Sequence, residues 1–263
     1  MSAFDHSGQE QRELTARSYL RGTCSHVAMT IGIAFCLLVT SSPVIADESR
    51  PSESKWRIRG RVIGIIPDDS SNDISLHAGP ATVPLSAGVG VDSAVVPELD
   101  VTYMITPHFG VEVIAGIANH DVEIDGSDPV LGGLGVPNGT KIFDVWVLPP
   151  TVTLQYHFRP DAKIRPYAGV GANYTAFLWN DATKNLETTL GSPVSVDTSS
   201  SWGWAAQFGL DWDLNGRWFA NIDVKYIDID TTASLHVKTL GAGLRVDLDV
   251  DPWVVGAGIG YRF

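Results

Sequence analysis

The sequence predicts an all-β fold, an eight-stranded antiparallel transmembrane β-barrel of the outer-membrane type. Eight segments have an apolar residue at every second position, which places those residues on one face of a strand. Short and long connections alternate between the segments, as between the two rims of such a barrel. Residues 47–263 contain no apolar run of 18 residues, so no helix is predicted to span a membrane. Closure is required because hydrocarbon offers a backbone amide no hydrogen-bond partner.

In chain order, the eight segments cover residues 56–66, 95–105, 109–117, 152–158, 166–178, 202–212, 218–226 and 253–263. Segment 56–66, for example, sets Trp56, Ile58 and Val62 on one face and arginines on the other. Most segments are close to the length that a tilted strand needs to cross a bilayer, roughly 9–11 residues. Several begin or end in Trp, Tyr or Phe, as expected of an interfacial girdle.

The connections separate the barrel from its main alternative, a soluble β-sandwich. The short links are residues 106–108, 159–164 and 215–216, and the long ones lie near 67–93, 121–147, 180–201 and 231–251. A sandwich with one buried face would also show alternation. The strand lengths, the aromatic ends and the aromatic last residue, Phe263, favour the barrel.

The N-terminal 46 residues are predicted to be a secretory signal peptide. Three arginines precede an apolar stretch at 27–39, and small residues follow, with cleavage expected after Ala46. An anchoring helix is the weaker alternative, because 13 apolar residues fall short of the roughly 20 that span a bilayer. We therefore predict a signal peptide at 1–46, a short periplasmic segment at 47–55 and the barrel at 56–263.

Charge and cysteine usage exclude several classes of function. Eighteen Lys and Arg residues stand against 30 Asp and Glu residues, a net charge of −12, whereas a nucleic-acid surface needs a basic stripe. We expect no nucleic-acid partner. Both cysteines, Cys24 and Cys36, precede the predicted cleavage site. The mature chain is therefore predicted to lack disulfides, thiol catalysis and cysteine-based zinc sites.

Five runs of sequence carry a family resemblance. They are WRIRGRVIGIIP (56–67), PELDVTYMITPHFGVEVIAG (97–116), LPPTVTLQYHF (148–158), RPYAGVGANYTAF (165–177) and DPWVVGAGIGYRF (251–263). Together they resemble the outer membrane protein W (OmpW) family over nearly the whole mature chain. The resemblance implies an eight-stranded barrel in the outer membrane of a Gram-negative cell. It also implies a family that passes or binds small hydrophobic molecules.

The residues on the second face of each strand are predicted to line the lumen, with charges in its lower half. The predicted lumen gate consists of Arg57, Arg59, Arg61, Glu112, Asp211, Asp213 and Arg262. Slightly higher lie Glu98, Asp100, Asp223 and Lys225. Because an eight-stranded barrel is only wide enough for its side chains, these charges are expected to pair and form a plug or gate.

The upper half of the lumen is predicted to be apolar, which is unusual because porin lumens are polar. The predicted ligand-binding residues are Ile63, Ile65, Val96, Ile114, Phe177, Trp179, Ile227 and Ile229. They would form a pocket for a small apolar molecule, which could leave sideways between strands into the bilayer. The alternative, that they only pack a stable barrel core, is equally open from the sequence.

Catalysis and metal binding are not predicted. A serine nucleophile needs a histidine and a carboxylate nearby, and no GxSxG elbow occurs. We expect His77 and His236 to lie in loops, His108 in a turn, His120 at the top of the third strand and His157 inward near the charged floor. The run DLDVD (247–251) resembles alternating calcium ligands but lacks the glycine and later glutamate of an EF-hand loop. A solvated acidic loop is favoured, so we expect no cofactor and no metal.

The sequence therefore predicts a non-enzymatic outer-membrane barrel with a narrow channel or pocket for uptake of small hydrophobic molecules. Its expected partners are those molecules, outer-membrane lipid and lipopolysaccharide. The acidic loops would face lipopolysaccharide through bridging divalent cations or would be held away from its head groups. The alternative is a structural or adhesive barrel whose loops act as a receptor without transport. That alternative predicts a lumen filled by interlocked side chains.

Overall fold

A computed structural model describes residues 55–263 of the chain except Leu240. The predicted signal peptide, both cysteines and nearly all of the predicted 47–55 segment lie outside the described residues. Among the described helices, none combines the length and the apolar character that crossing a membrane requires.

Eight long strands form the barrel. They are β1 (Trp56–Ile66), β6 (Ala94–Met104), β7 (Phe109–Gly116), β10 (Thr151–His157), β11 (Ile164–Ala182), β13 (Ser201–Asp213), β14 (Trp218–Ile227) and β17 (Trp253–Arg262). Each pairs antiparallel with the next, and β1 also pairs with β17 from Arg57↔Arg262 to Ile66↔Trp253. The sheet is therefore closed, and the predicted eight-stranded barrel is confirmed.

Tight turns join neighbouring strands at the end of the barrel where β1 begins. At one of them the Ile105 N–H donates to the Phe109 carbonyl at 2.8 Å, and the Thr106 hydroxyl accepts from the Phe109 N–H at 2.9 Å. Near the two ends of the described chain, the Phe263 N–H donates to the Trp56 carbonyl at 3.0 Å. The short connections predicted from the sequence therefore lie on the rim of the barrel that contains Trp56 and Phe263.

The two faces of the barrel strands differ as the alternation predicts. Outward side chains such as Val62, Val170 and Ile222 are exposed, whereas the intervening side chains are buried. Two bands of paired aromatic rings border the outward apolar surface. The lower band includes Trp56–Tyr103, Phe109–Tyr156 and Trp218–Tyr261, and the upper band includes Tyr174–Trp202, Trp204–Tyr226 and Tyr226–Trp253. This is the pattern of a lipid-facing belt with aromatic girdles at both interfaces.

β11 continues beyond the barrel, and the four long connections, which are predicted from the sequence to be loops, contain nine further strands. They are β2 (Ser70–Ser71), β3 (Ser75–Ala78), β4 (Ala81–Pro84), β5 (Ala87–Val91), β8 (Ala118–Gly126), β9 (Lys141–Leu148), β12 (Val194–Thr198), β15 (Asp230–Val237) and β16 (Ala242–Asp249). The order β5–β8–β9–β11–β12–β15–β16–β3–β4 continues the barrel wall beyond the upper aromatic band. We call this part the extension. His77 and His236 lie in its strands, so their placement in loops is wrong.

The extension has an apolar interior of its own, which includes Val122, Phe143, Leu235 and Val246. Two short helices, α1 (Pro129–Gly133) and α2 (Lys184–Leu190), add Leu131 and Leu186 to it. Asp128 and Thr183 cap the first turns of these helices through their side-chain oxygens. The apolar faces of the extension are therefore buried against one another rather than exposed to solvent.

Candidate functional site

The lower half of the lumen is closed by a network of buried ion pairs. Arg59 Nη1 lies 2.9 Å from Glu112 Oε1 and 3.1 Å from Asp100 Oδ1, and its Nη2 lies 3.2 Å from Asp211 Oδ2. Arg61 reaches Asp100 Oδ2 at 2.8 Å. Both guanidinium groups lie inside the barrel because alternate residues of β1 face the same way.

A higher layer continues the network toward the extension. Lys225 Nζ lies 2.9 Å from Glu98 Oε1 and 2.8 Å from Asp223 Oδ1, and Arg61 also contacts both carboxylates. At the lower end, Asp213 pairs with both Arg165 and Arg262, and Arg57 lies 3.7 Å from Asp211. All seven residues of the predicted gate are therefore buried and take part in ion pairs.

The buried charged side chains of the described residues balance, if the histidines are set aside. The six cations are Arg57, Arg59, Arg61, Arg165, Lys225 and Arg262, and the six anions are Glu98, Asp100, Glu112, Asp211, Asp213 and Asp223. Equal numbers of opposite charges allow each ion to be compensated without water, which a narrow lumen requires. We call these twelve residues the floor.

Uncharged residues that were not predicted from the sequence complete the floor. The Tyr167 hydroxyl donates to Asp223 Oδ2 at 3.1 Å, and Gln207 Nε2 donates to Glu112 Oε2 at 2.8 Å. The ring of Tyr167 covers Gly209, and a side chain at that glycine would overlap it. The alternation contains the signal for Tyr167 and Gln207, since both occupy inward positions of predicted strands.

Above the floor lies an apolar cavity, which we call the inner cavity. Seven of the eight predicted ligand-binding residues line it, namely Ile63, Ile65, Val96, Ile114, Phe177, Ile227 and Ile229. Glu98 and Lys225 form its lower end. Its cavity volume is about 90 Å³. The structure therefore brings these seven residues together at one cavity, and six of them, all but Ile114, also pack in one apolar cluster.

Trp179 does not belong to this wall. Its side chain is 68% exposed, and its φ is 46°. The pairing of β11 with β9 shifts register between Leu178 and Asp181, which is a β-bulge or a related irregularity. An extra residue breaks the alternation of faces, so placing Trp179 in the lumen is wrong.

The inner cavity also reaches beyond the predicted residues into the extension. Val122 of β8, Phe143 and Val145 of β9, and Leu248 of β16 line its upper part. These residues alternate inward on strands that are predicted from the sequence to be loops. The missed signal is the alternation within 118–124 and 244–248.

A second apolar cavity, the outer cavity, lies under the two helices. Leu131 of α1, Leu186 of α2, Val194 and Leu244 contribute to its wall. On β16, Val246 lies between Leu244 of the outer cavity and Leu248 of the inner cavity. Val196 is placed in the same way on β12. Single layers of buried side chains therefore separate the two cavities.

One junction of the wall beside the inner cavity is incomplete. Strand β6 pairs with β7 from Glu98↔Gly116 to Met104↔Gly110, whereas on its other side β6 pairs with β1 up to Ala94↔Ile65. In the described chain, residues 94–97 thus have a strand partner on one side only. Pro97 lies in this stretch and has no N–H to donate. We call residues 94–97 the seam.

The histidines are placed in structural contacts. His157 is buried beside Arg57 and Gln155, as predicted for a network histidine. His108 Nδ1 lies 2.8 Å from the His157 carbonyl oxygen, and His77 Nδ1 lies 3.0 Å from the Thr82 hydroxyl. Among the residues that the structure describes, no histidine forms a hydrogen bond with a serine hydroxyl. A serine–histidine pair of the hydrolytic kind is therefore not assembled in this part of the chain.

Three carboxylates gather at the upper end of the barrel, outside the lipid-facing belt. Asp228, Asp230 and Asp251 each bring one oxygen within 4.8 Å of the others. Desolvation first, and then the nearby carboxylates of Asp228 and Asp249, raise the pKa of Asp230. Asp251 already accepts hydrogen bonds from the Tyr226 hydroxyl and the Ile229 N–H. We assign no ion to this cluster.

Known proteins resemble this chain over most of its length. The chain is 32% identical to outer membrane protein W of Vibrio cholerae over 235 residues, covering 88% of this chain and 97% of that protein. It is 26% identical to the dibenzothiophene metabolism operon protein PahQ of Pseudomonas aeruginosa, covering 90% and 100%. The crystal structure of the outer membrane protein OprG from Pseudomonas aeruginosa matches with a TM-score of 0.71 and 34% identity, covering 82% and 99%.

These similarities agree with the closed barrel, its aromatic girdles and its lipid-facing belt, and they place the protein in the outer membrane. The family model described as the OmpW family matches residues 52–263. The match includes the whole barrel and the whole extension. The chain belongs to the OmpW family.

Proposed function

We propose that this barrel takes up small hydrophobic molecules through the inner cavity. The observation that carries the proposal is the inner cavity itself, an open apolar volume above a floor whose charges are paired. A ligand site is typically a concave, mainly apolar cavity with a few polar groups. Burial of apolar ligand surface there contributes roughly 25 cal/mol per Å².

The class of molecule is a compact apolar one, aromatic rings included. The side chains around the cavity are mostly isoleucine, valine and phenylalanine, which provide no charge to compensate an ionic ligand. The name of the relative PahQ refers to the metabolism of dibenzothiophene, a fused aromatic compound without charge. The presence of a cavity at this level supports uptake over the receptor alternative, because that alternative predicts a lumen filled by interlocked side chains.

We propose that the molecule leaves the cavity sideways at the seam. The floor blocks the direct route to the periplasm because a neutral ligand cannot replace the partners of its buried ions. At residues 94–97 the wall has fewer strand hydrogen bonds to break, so local separation costs less there. The bilayer would then receive the apolar molecule.

Two single substitutions test the uptake. Ile114→Asp and Phe177→Asp place a carboxylate in the cavity wall and are expected to abolish uptake of dibenzothiophene by cells that express the protein. The control is Val83→Asp, which changes an exposed valine of the extension. Insertion is checked by the amount of folded protein in outer-membrane fractions. Unchanged uptake by folded Ile114→Asp and Phe177→Asp proteins would contradict the proposal.

Single-channel recording tests the closed floor. Because the twelve charges pair with one another, the wild-type protein is expected to pass no sustained ionic current in a planar bilayer. A double variant, Arg59→Ala with Arg61→Ala, removes two cations from the centre and is expected to raise ion leakage. Steady wild-type currents would mean that the floor conducts and that a sideways exit is not needed.

A further inference from the structure

We propose that His120 is a specificity-determining residue of the inner cavity, with its Nε2 atom accepting a hydrogen bond from a hydroxyl group on the bound molecule. The cavity would then favour an apolar molecule that carries one hydroxyl over a hydrocarbon of the same shape. This inference rests on the proposed function, because it takes the inner cavity as the ligand site.

His120 lies on the inward face of β8. Its neighbours on that face, Ala118 and Val122, line the inner cavity together with it. The histidine is only 7% exposed. Its ring is thus a mostly buried part of the cavity wall.

The backbone of the loop before β6 fixes which ring nitrogen carries hydrogen. His120 Nδ1 lies 2.9 Å from the carbonyl oxygen of Asp92. A carbonyl oxygen can only accept, so Nδ1 must be the donor. In a neutral imidazole the other nitrogen is then an acceptor. Among the described residues, no group donates a hydrogen bond to Nε2 of His120, which leaves its lone pair available.

The other polar groups of the wall are already engaged with the protein. The hydroxyls of Thr151, Thr175 and Thr231 donate to Pro149 O, Asn173 Oδ1 and Ser199 O, respectively, and Thr198 Oγ1 accepts from Asn180 Nδ2. Glu98 and Lys225 pair with each other. His120 Nε2 therefore differs from these polar neighbours, since it has no hydrogen-bond partner among the described residues.

An unused acceptor inside an apolar cavity favours a ligand that brings a donor. A polar atom that a ligand covers without pairing is unfavourable, and a ligand hydroxyl avoids that penalty when it binds. A hydrocarbon leaves the acceptor unpaired. An ether of similar size adds an oxygen but no donor, so it cannot form a hydrogen bond with His120 Nε2.

Three probes separate these cases, namely naphthalene, 1-naphthol and 1-methoxynaphthalene. Binding is measured by equilibrium dialysis with the barrel in phospholipid nanodiscs, after subtraction of partitioning into empty nanodiscs. Wild-type protein is expected to bind 1-naphthol about fivefold more tightly than either other probe, as one neutral hydrogen bond allows. His120→Phe is expected to remove this preference and keep naphthalene binding. His120→Gln, which restores an acceptor oxygen, is expected to regain part of it.

The matched control is His236→Phe, which replaces an exposed ring on β15 and is expected to keep the full preference. A second measurement needs no variant: the ¹⁵N resonance of His120 Nε2 in wild-type protein should shift with 1-naphthol and not with naphthalene. If wild-type protein binds none of the probes, the proposed function fails. If it binds all three equally, or if folded His120→Phe keeps the preference, the role of His120 fails while the cavity stands as the ligand site.

Discussion

Arg59 and Glu112 meet at the centre of the lumen, with Nη1 and Oε1 2.9 Å apart and both side chains fully buried. The two residues come from β1 and β7, strands that are separated in the wall by β6. Their contact therefore crosses the inside of the barrel rather than following its wall. Glu112 also accepts from Gln207 on β13. The floor in this way joins distant parts of the barrel.

Replacement of Arg59 by methionine should destabilise the barrel. The change leaves Asp100, Glu112 and Asp211 without one of their cations, and removal of one partner of a buried pair typically costs about 3–5 kcal/mol. The free energy of unfolding in detergent micelles, measured with urea, provides the test. Arg245→Met is the control, because Arg245 is exposed and lies 3.9 Å from Asp247, so about 0.5 kcal/mol or less is expected. Equal stability of the two variants would show that the floor contributes nothing.

Gly260 has a packing role that a nearby glycine lacks. The ring of Phe219 lies over Gly260 inside the barrel, and a Cβ there would overlap it. We expect Gly260→Ala to cost about 1–3 kcal/mol, as is usual when a filled interior is overpacked. Gly60 has no atom within 4 Å of the equivalent Cβ position. Gly60→Ala is therefore the control, and the same loss of thermal stability in both variants would refute the packing role.

The barrel could be predicted from the sequence because each membrane strand has a fixed inward and outward face. Alternation alone placed Arg59, Glu112 and Ile114 on the inner face, where the structure has them. The extension was missed since its strands are short and interrupted by turns, as at Gly79. The strand length expected from the thickness of the bilayer does not apply to strands that lie outside it.

Trp179 shows where alternation of apolar residues fails to predict the face on which a side chain lies. One register shift near Leu178 reverses the faces of the residues that follow, and nothing in the local sequence marks it. Contacts between strands that are distant in the sequence could not be predicted from it either. The pairing of Lys225 with Glu98 depends on how the barrel closes, not on the spacing of either residue. The composition of the site could therefore be predicted, but its pairings could not.

Asp128 connects the first turn of α1 to the start of β5. Its Oδ1 accepts from the Val130 N–H at 2.7 Å, and its Oδ2 accepts from the Ser86 N–H at 2.9 Å. These bonds, with Ser86 the largest contributor, lower the pKa of Asp128 below its usual value. A lowered pKa in the folded state means that the stabilisation is present above the unfolded pKa, near about 4, and is lost as pH falls through the folded value.

We therefore expect the Ser86 and Val130 amides to lose protection against hydrogen exchange as the pH falls. The exchange rates must first be corrected for the intrinsic pH dependence of exchange. Asp128→Asn keeps an oxygen for Val130, but its amide nitrogen cannot accept from Ser86. In that variant, protection at Ser86 should be lower at neutral pH and should no longer depend on acid, while Val130 stays protected. Retained protection of Ser86 in the variant would argue against this role of the carboxylate.

Val170 tests the membrane position of the whole barrel. It lies on β11 between the two aromatic bands, pairs with Leu154 and Ala206, and is 64% exposed. If this surface contacts lipid tails, Val170→Arg should cost about 2–4 kcal/mol in the equilibrium folding of the barrel into phospholipid vesicles. Val83→Arg is the control, because that valine is exposed on the extension outside the belt. A guanidinium titration of both variants gives the two free energies. A cost at Val170 no larger than at Val83 would mean that water, not hydrocarbon, covers this face, and the lipid-facing belt would have to be abandoned.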